Sequence, residues 1–418
     1  MTTPPAGTSA AGDQARGFPR DRFTVSLYGT FVVWGWLLYS FNPSVPLLAD
    51  DLDLTGAQAG LHGTAMAVGA IVSAAATPRL VRALGRRTTL LLAGATLVLG
   101  VTLLVLAPAL VWTLSGVALL AAGGNTSVSA AQAGLALHHG HRASAALTEA
   151  NGVGSAIGLL GPLAVGVTVG IGWGWRPAVA VTALLMVVAM VMQSRLPVGG
   201  AMTRPRSGAD EGAHPDGGVP RSAGWNLAGT CFLLSIVAAI ALENATTYWS
   251  TDLVIERTGA DAGISVATTA GLVAGMSVIR FVVGPLSLRI PPARILAVSF
   301  LVAIAGWAVL WTATTPAMAL VGLVIAGFGY GVQYPMSIAL LLATADGATD
   351  AAQARATLGG GLAIGVAPFA LGALADAVGT YQAFVIVPVV AVAGFIVAVV
   401  GGRALTRRTA LAADVVVG

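Results

Sequence analysis

The chain has no lysine; all 21 of its basic residues are arginine. A phosphate-cradling loop of the Gly-Lys-Ser/Thr type cannot be built without one, so the chain cannot drive work by hydrolysing ATP alone. Its single cysteine, Cys231, leaves no intramolecular disulfide and no thiolate metal cluster, and its place in an apolar run reads as packing. His-Glu-x-x-His and Gly-x-Ser-x-Gly are also missing, so no metal, cofactor or enzymatic chemistry is expected. Charge is scarce as well: 9% of the 418 residues are ionic, against about 25% in soluble domains. Residues 1–23 are mostly polar, lack the apolar core of a signal peptide, and read as a retained cytoplasmic tail.

What fills the chain instead is apolar: 56% of residues are hydrophobic and the mean hydropathy is +0.85. Roughly 20 apolar residues cross a bilayer as helix, and lipid offers the backbone no hydrogen bonds, so such runs must be helical. Runs rich in Ala, Leu, Val and Gly do not alternate in polarity, which excludes a membrane barrel. We expect helices at 24–48, 57–77, 88–107, 110–136, 148–171 and 177–195, then at 225–250, 263–287, 295–313, 316–343, 354–375 and 381–402. The expected fold class is an all-α membrane protein of twelve transmembrane helices in two six-helix bundles related by internal pseudo-symmetry. The bundles span 24–195 and 225–402, joined by a polar cytoplasmic linker at 196–224 and followed by a cytoplasmic tail at 403–418.

Eighteen of the 21 arginines fall in the two tails and in the loops on the same side. Only Arg176 and Arg257 lie on the other side, and Arg280 lies within a span. The positive-inside rule then puts both termini in the cytoplasm of a multi-pass plasma (inner) membrane protein. The sequence pI of about 9.7 is explained by this asymmetry, so the expected surroundings are a lipid bilayer and not nucleic acid. A duplication shows at one spacing of 206 residues: Gly69 with Gly275, Gly100 with Gly306, Gly116 with Gly322, Gly123 with Gly329, Gly154 with Gly360 and Gly166 with Gly372. Pro162 and Pro368 share it. Parallel repeats of this kind place a substrate site between the halves near mid-membrane.

With these features the chain resembles the major facilitator superfamily of transporters over nearly its whole length. The family's Gly-x-Leu-Ala-Asp-x-x-Gly-Arg-Arg/Lys loop between helices 2 and 3 is matched by Pro78-Arg79-Leu80-Val81-Arg82-Ala83-Leu84-Gly85-Arg86-Arg87. Gly85, Arg86 and Arg87 are kept, while Arg82 replaces the acid. The resemblance implies a gating role for Gly85, Arg86 and Arg87; apart from it, the segment is a tight turn with topology-setting arginines. A degenerate second copy is Gly284-Pro285-Leu286-Ser287-Leu288-Arg289, and a third echo, Gly372-Ala373-Leu374-Ala375-Asp376-Ala377-Val378-Gly379, closes helix 11. Helix 5 carries Gly154, Gly158, Gly161, Pro162 and Gly166, similar to the Gly-Pro pattern of family exporters and equally suited to ordinary close packing. Pro162 and Pro368 are read as helix bends.

An ionisable group deep in a span is costly, so it is a functional candidate. Glu243, about 17 residues into helix 7, is the clearest, and we place it in the outer half of the membrane as a proton-coupling or substrate-binding group, a structural hydrogen bond to a neighbouring helix being the alternative. Asn244, Trp34, Tyr39, Asn42, Tyr248, Tyr330, Gln333 and Tyr334 are expected to line the cavity beside it, suiting an amphiphilic or aromatic molecule. Trp36 and Trp249 serve either as lining or as interfacial anchors. Arg280 is placed too far from Glu243 in depth for a direct pair. Glu149 is expected either to close the inner mouth with Arg280 or Arg289 or to stabilise a helix N-terminus. His138, His139 and His141 read as a solvated loop.

The expected function is secondary active transport of a small molecule by a monomer using alternating access, in exchange for protons and in the direction of efflux. Proton-coupled uptake is the alternative, and a membrane-embedded receptor or enzyme is the alternative of another class.

Overall fold

The structure, a computed structural model, describes residues 20–140, 143–197, 199–203, 226–287, 289–344 and 349–417. Most of the linker and His141 lie outside the described residues. Twelve long helical segments follow one another: α1 (Arg22–Phe41, continued through a 3-10 turn at Asn42–Ser44 and a short helix Val45–Asp51), α2 (Gly56–Leu84), α3 (Arg86–Leu106), α4 (Leu110–His139), α5 (Ala143–Gly158 and Leu160–Gly170) and α6 (Arg176–Ser194). The second half repeats the plan with α7 (Leu227–Thr258), α8 (Ala262–Thr268 and Ala270–Ser287), α9 (Pro292–Trp311), α10 (Pro316–Ala343), α11 (Thr349–Val378) and α12 (Thr380–Ala383 and Ile386–Val417). No strand occurs among the described residues. Eleven of these segments are long and apolar enough to cross a membrane. The remaining one, α4, has 30 residues but carries Gly123-Gly124-Asn125-Thr126-Ser127 at its middle.

Local chemistry sets the ends. Asp21 caps α1 through the Thr24 N–H, Thr55 and Gln58 form a reciprocal capping box at α2, and Asn226 and Thr315 cap α7 and α10. Between α2 and α3 the chain reverses at Gly85, whose φ of 83° is open to glycine and strained for other residues. Pro162 is buried just after α5 breaks at Leu159. Pro368 sits inside α11.

Packing obeys the 206-residue repeat. A Cβ on Gly100 would run into the backbone of Leu120 and Gly116, and one on Gly306 would run into Ala326 and Gly322. Gly123 lies against Ala93 and Leu97 as Gly329 lies against Ser299 and Ala303. Each partner is displaced by the same 206 positions, so α3 meets α4 through the same close approach as α9 meets α10. Outside this packing the surface is apolar: Leu106, Leu184, Phe281 and Leu362 are all exposed. Such a belt is stable in lipid and not in water.

The halves meet along α2 with α11 and along α5 with α8. We call the side carrying both chain ends the terminal face and the opposite side the far face. Contact between the halves is closest toward the far face. Gly56 faces Gly372, Gly60 faces Phe369 and Pro368, Gly63 faces Pro368, and Gly166 faces Gly263. The Thr64 hydroxyl donates to the Gly365 carbonyl at 2.6 Å, and the Thr251 hydroxyl to the Pro43 carbonyl at 2.8 Å. One turn further toward the terminal face, a Cβ on Gly361 would meet nothing within 4 Å. The molecule is therefore closed at the far face and parts toward the terminal face.

Candidate functional site

Glu243 is the seventeenth of 32 residues in α7 and sits near the middle of the span. Although deep in the bundle, its side chain is only half-buried, as expected of a group lining an internal cavity. It faces Tyr39 from α1, Arg280 from α8 and Tyr330 from α10, with the Arg280 guanidinium beside the Tyr39 hydroxyl. Tyr330 is held in place by a 3.0 Å hydrogen bond to Thr246, one turn along from Glu243. A carboxylate, a guanidinium and two phenols from both halves thus share one site.

Glu243 and Arg280 form no direct ion pair among the described residues, as expected, but they lie nearer in depth than expected and Arg280 acts on the carboxyl electrostatically. α7 runs eight residues beyond its expected end, which brings Glu243 to mid-span. At about 1.5 Å per residue, Glu243 lies roughly 22 Å from the far end of α7 and Arg280 roughly 27 Å from the far end of α8, so their backbones differ little in depth.

Other expected lining residues divide. Trp34 is half-buried with its ring against Gly124, and Tyr39 packs on Gly158 of α5. Asn244 is half-buried and donates to its own helix at Ile240 O, 2.9 Å away; Tyr334 is exposed. Asn42 is buried, with its Oδ1 lacking a partner. Tyr248, Gln333 and Tyr330, by contrast, are buried, so none of them presents an open surface in this conformation. Trp36 donates to Ala178 O and Trp249 to Pro368 O, each at 2.9 Å. Trp249, being buried, is a helix-to-helix tie and not an interfacial anchor.

The expected inner gate is not formed in this conformation, in which the halves part toward the terminal face. Glu149 accepts two hydrogen bonds from Arg20, at 2.5 and 2.9 Å, and so ties α5 to the start of α1 within one half. Arg280 belongs to the central cluster, and Arg289 is exposed at the end of α8. Arg86 donates to the Ala201 carbonyl and Arg87 to the Ser194 carbonyl, fastening α3 to the end of α6. In this conformation these arginines brace the first half. His138 and His139 are not a solvated loop either: His138 meets Asp21 and His139 meets the Thr24 hydroxyl, each at 2.8 Å. No grouping suited to a metal ion occurs among the described residues.

One polar tie across the halves is a residue that sequence reasoning passed over. Asp376, at the far-face end of α11, accepts the N–H groups of Gly56 and Ala57 at the start of α2, at 2.6 and 2.8 Å. Its sequence signal is the third glycine-rich echo, which contains this acid.

A family model described as the Major Facilitator Superfamily matches residues 27–276 and 231–411. The chain belongs to the Major Facilitator Superfamily. Solved transporters of similar fold include a bacterial homologue of the human lysosomal transporter Spinster, in an inward-facing and occupied conformation (TM-score 0.73, 15% identity, 93% of this chain and 98% of that one). The nucleoside transporter NupG gives a TM-score of 0.70 at 11% identity over 92% of this chain and 98% of that one. The xylose transporter XylE from E. coli gives 0.69 at 12% identity over 90% and 96%. Comparison with curated proteins by sequence gives no match. The cargoes in those names differ, so membership of the superfamily supports secondary transport and leaves the cargo to the site.

Proposed function

We propose that the chain is a plasma-membrane transporter with cytoplasmic termini, in which Glu243 binds and releases the proton that drives the substrate. The observation that carries this reading is the setting of Glu243: a carboxylate at mid-span, half-buried, facing groups from both halves. Alternating access exposes such a group to each side in turn, so its proton occupancy is coupled to the conformational cycle. The rings of Trp34 and Tyr39, both half-buried, supply apolar surface with one hydroxyl handle, which suits an amphiphilic molecule. The break in α5 beside Pro162 supports rocking of the halves, and its Gly-Pro pattern favours efflux.

A second reading, uptake by proton symport, is favoured by Arg280. Its guanidinium stays charged at physiological pH, so an anionic substrate competes with ionised Glu243 for it and binds best once Glu243 is protonated. Proteoliposomes carrying an imposed pH gradient test both readings, with a pH-sensitive dye read out as amphiphilic compounds are added. Substrate-dependent proton movement is expected in the wild-type protein and none in Glu243→Gln. Protons running against the substrate mark efflux by antiport, and protons running with it mark symport. Full proton-driven transport by Glu243→Gln overturns the assignment.

A further inference from the structure

At the terminal face a cleft of about 500 Å³ opens between the start of α1 and the end of α6, far from the central cluster. Arg20, Asp21, Arg22, Val25, Arg195 and Leu196 are among its walls. Two of its charges are already committed. Arg20 is engaged by Glu149. Asp21 accepts from Thr24 and meets His138. Partial burial pushes the Asp21 carboxyl up, but these hydrogen bonds outweigh it and leave it below its usual value. Arg22 and Arg195 remain: both are exposed, and neither pairs with an acid among the described residues.

The cleft is braced. The Arg87 guanidinium holds the Ser194 carbonyl, directly before Arg195, and the Arg86 guanidinium holds the Ala201 carbonyl beyond it. The walls also run on into lipid-facing surface. Val191 and Val188, four and seven residues before Arg195 on the same side of α6, are exposed, as is Val25 on α1. Two uncommitted arginines above an apolar groove match a phosphate carrying acyl chains better than a free phosphate, which would leave the groove unused.

We propose that this cleft binds the phosphate of an anionic phospholipid, held by Arg22 and Arg195, with an acyl chain lying along Val25, Val188 and Val191. The site is separate from the transport site and stands whether or not Glu243 couples protons. It also gives Arg86 and Arg87 a task, which is to position the wall that carries Arg195.

The test uses the full chain purified from a mixed bilayer of phosphatidylcholine and phosphatidylglycerol, with retained lipid read by native mass spectrometry and unfolding temperature measured in parallel. The wild-type chain is expected to retain phosphatidylglycerol over phosphatidylcholine and to be stabilised by it. Arg22→Gln with Arg195→Gln should lower that retention by about tenfold or more, and Arg22→Lys with Arg195→Lys should restore part of it. Both pairs are exposed, so unfolding in phosphatidylcholine alone should match the wild type and confirms that a loss is not misfolding. Arg289→Gln with Arg294→Gln, on another part of the terminal face, should retain lipid normally. Equal retention of both lipids, an equal loss in the Arg289/Arg294 variant, or equal stabilisation by inorganic phosphate overturns the proposal.

Discussion

The Asp376 carboxylate accepts the backbone N–H of Gly56, 320 positions away in sequence, at 2.6 Å. The carboxylate of one half thus caps the first turn of a helix in the other half, beside the positive end of the α2 dipole. Any motion that opens the far face must break this tie. Asp376→Asn removes the charge while keeping one acceptor, and we expect it to shift the equilibrium toward far-face opening by about 1 kcal/mol, roughly fivefold in conformer ratio. Labelling rates of a cysteine introduced at Thr64, which meets the Gly365 carbonyl across the seam, should rise accordingly. Unchanged labelling would show that the tie carries no weight in the cycle.

The seam itself should reject side chains. A Cβ at Gly60 would lie 2.5 Å from the Phe369 Cα and 2.7 Å from the Pro368 carbonyl oxygen, both of them backbone atoms that cannot swing away. Gly60→Ala is therefore expected to disfavour the closed far face by about 1–3 kcal/mol. Double electron–electron resonance between spin labels on α2 and α11 should report a population with longer far-face distances. At Gly152, where a Cβ would meet nothing within 4 Å, the same substitution should leave the distances unchanged.

For Glu243, three quantities measured on one purified variant separate its possible roles. Glu243→Gln mimics only the protonated carboxyl, so a coupling residue loses proton-driven transport and keeps exchange of substrate across the bilayer. A structural residue would keep both, since the amide preserves most of the hydrogen-bonding capacity. A cation-binding residue would lose affinity for cationic substrates and retain it for neutral ones. Arg280→Gln provides the complementary measurement: if an anionic substrate rests on the guanidinium, KM for that substrate rises by about tenfold or more, and neutral substrates are unaffected.

Glu149 should behave as a fastener of the N-terminal segment. Because its two hydrogen bonds go to Arg20, Glu149→Gln is expected to speed proteolysis or hydrogen exchange at residues 20–24. Accessibility of a cysteine placed on the terminal-face half of α8 should stay as it was. A change confined to that cysteine would restore Glu149 to a gate between the halves.

Helix number, bundle plan and repeat were readable from the sequence because hydropathy and glycine spacing are local signals that lipid enforces strictly. The end of α7 was not. Thr246, Thr247, Tyr248, Ser250 and Thr251 look like a helix leaving the membrane, yet all five are buried, and Thr251 donates to the Pro43 carbonyl in the other half. Reading that polar run as an exit placed Glu243 in the outer half and hid its closeness to Arg280. The rotation of each helix about its axis was equally invisible, so Tyr248 and Gln333 passed for cavity lining when both are buried. Arg86 and Arg87 matched a family loop, but their partners, the Ala201 and Ser194 carbonyls, lie more than a hundred positions away and carry no side-chain signal.

Displacement by 206 positions, which carries the packing of one half onto the other, does not carry the chemistry. Glu243 maps onto Leu37, Arg280 onto Ala74 and Tyr330 onto Gly124, while Tyr39 and Trp34 of the first half map onto Ala245 and Ile240. The frame is a dimer in all but covalent continuity, and its active surfaces have diverged into a charged wall and an aromatic one. If the proposed site holds the substrate, a bound molecule is expected to lie with its polar end toward the second half. Grafting a second copy of either half in place of the other would keep the glycine contacts inside each half and remove the difference between the walls, leaving nothing with which to tell one end of a substrate from the other.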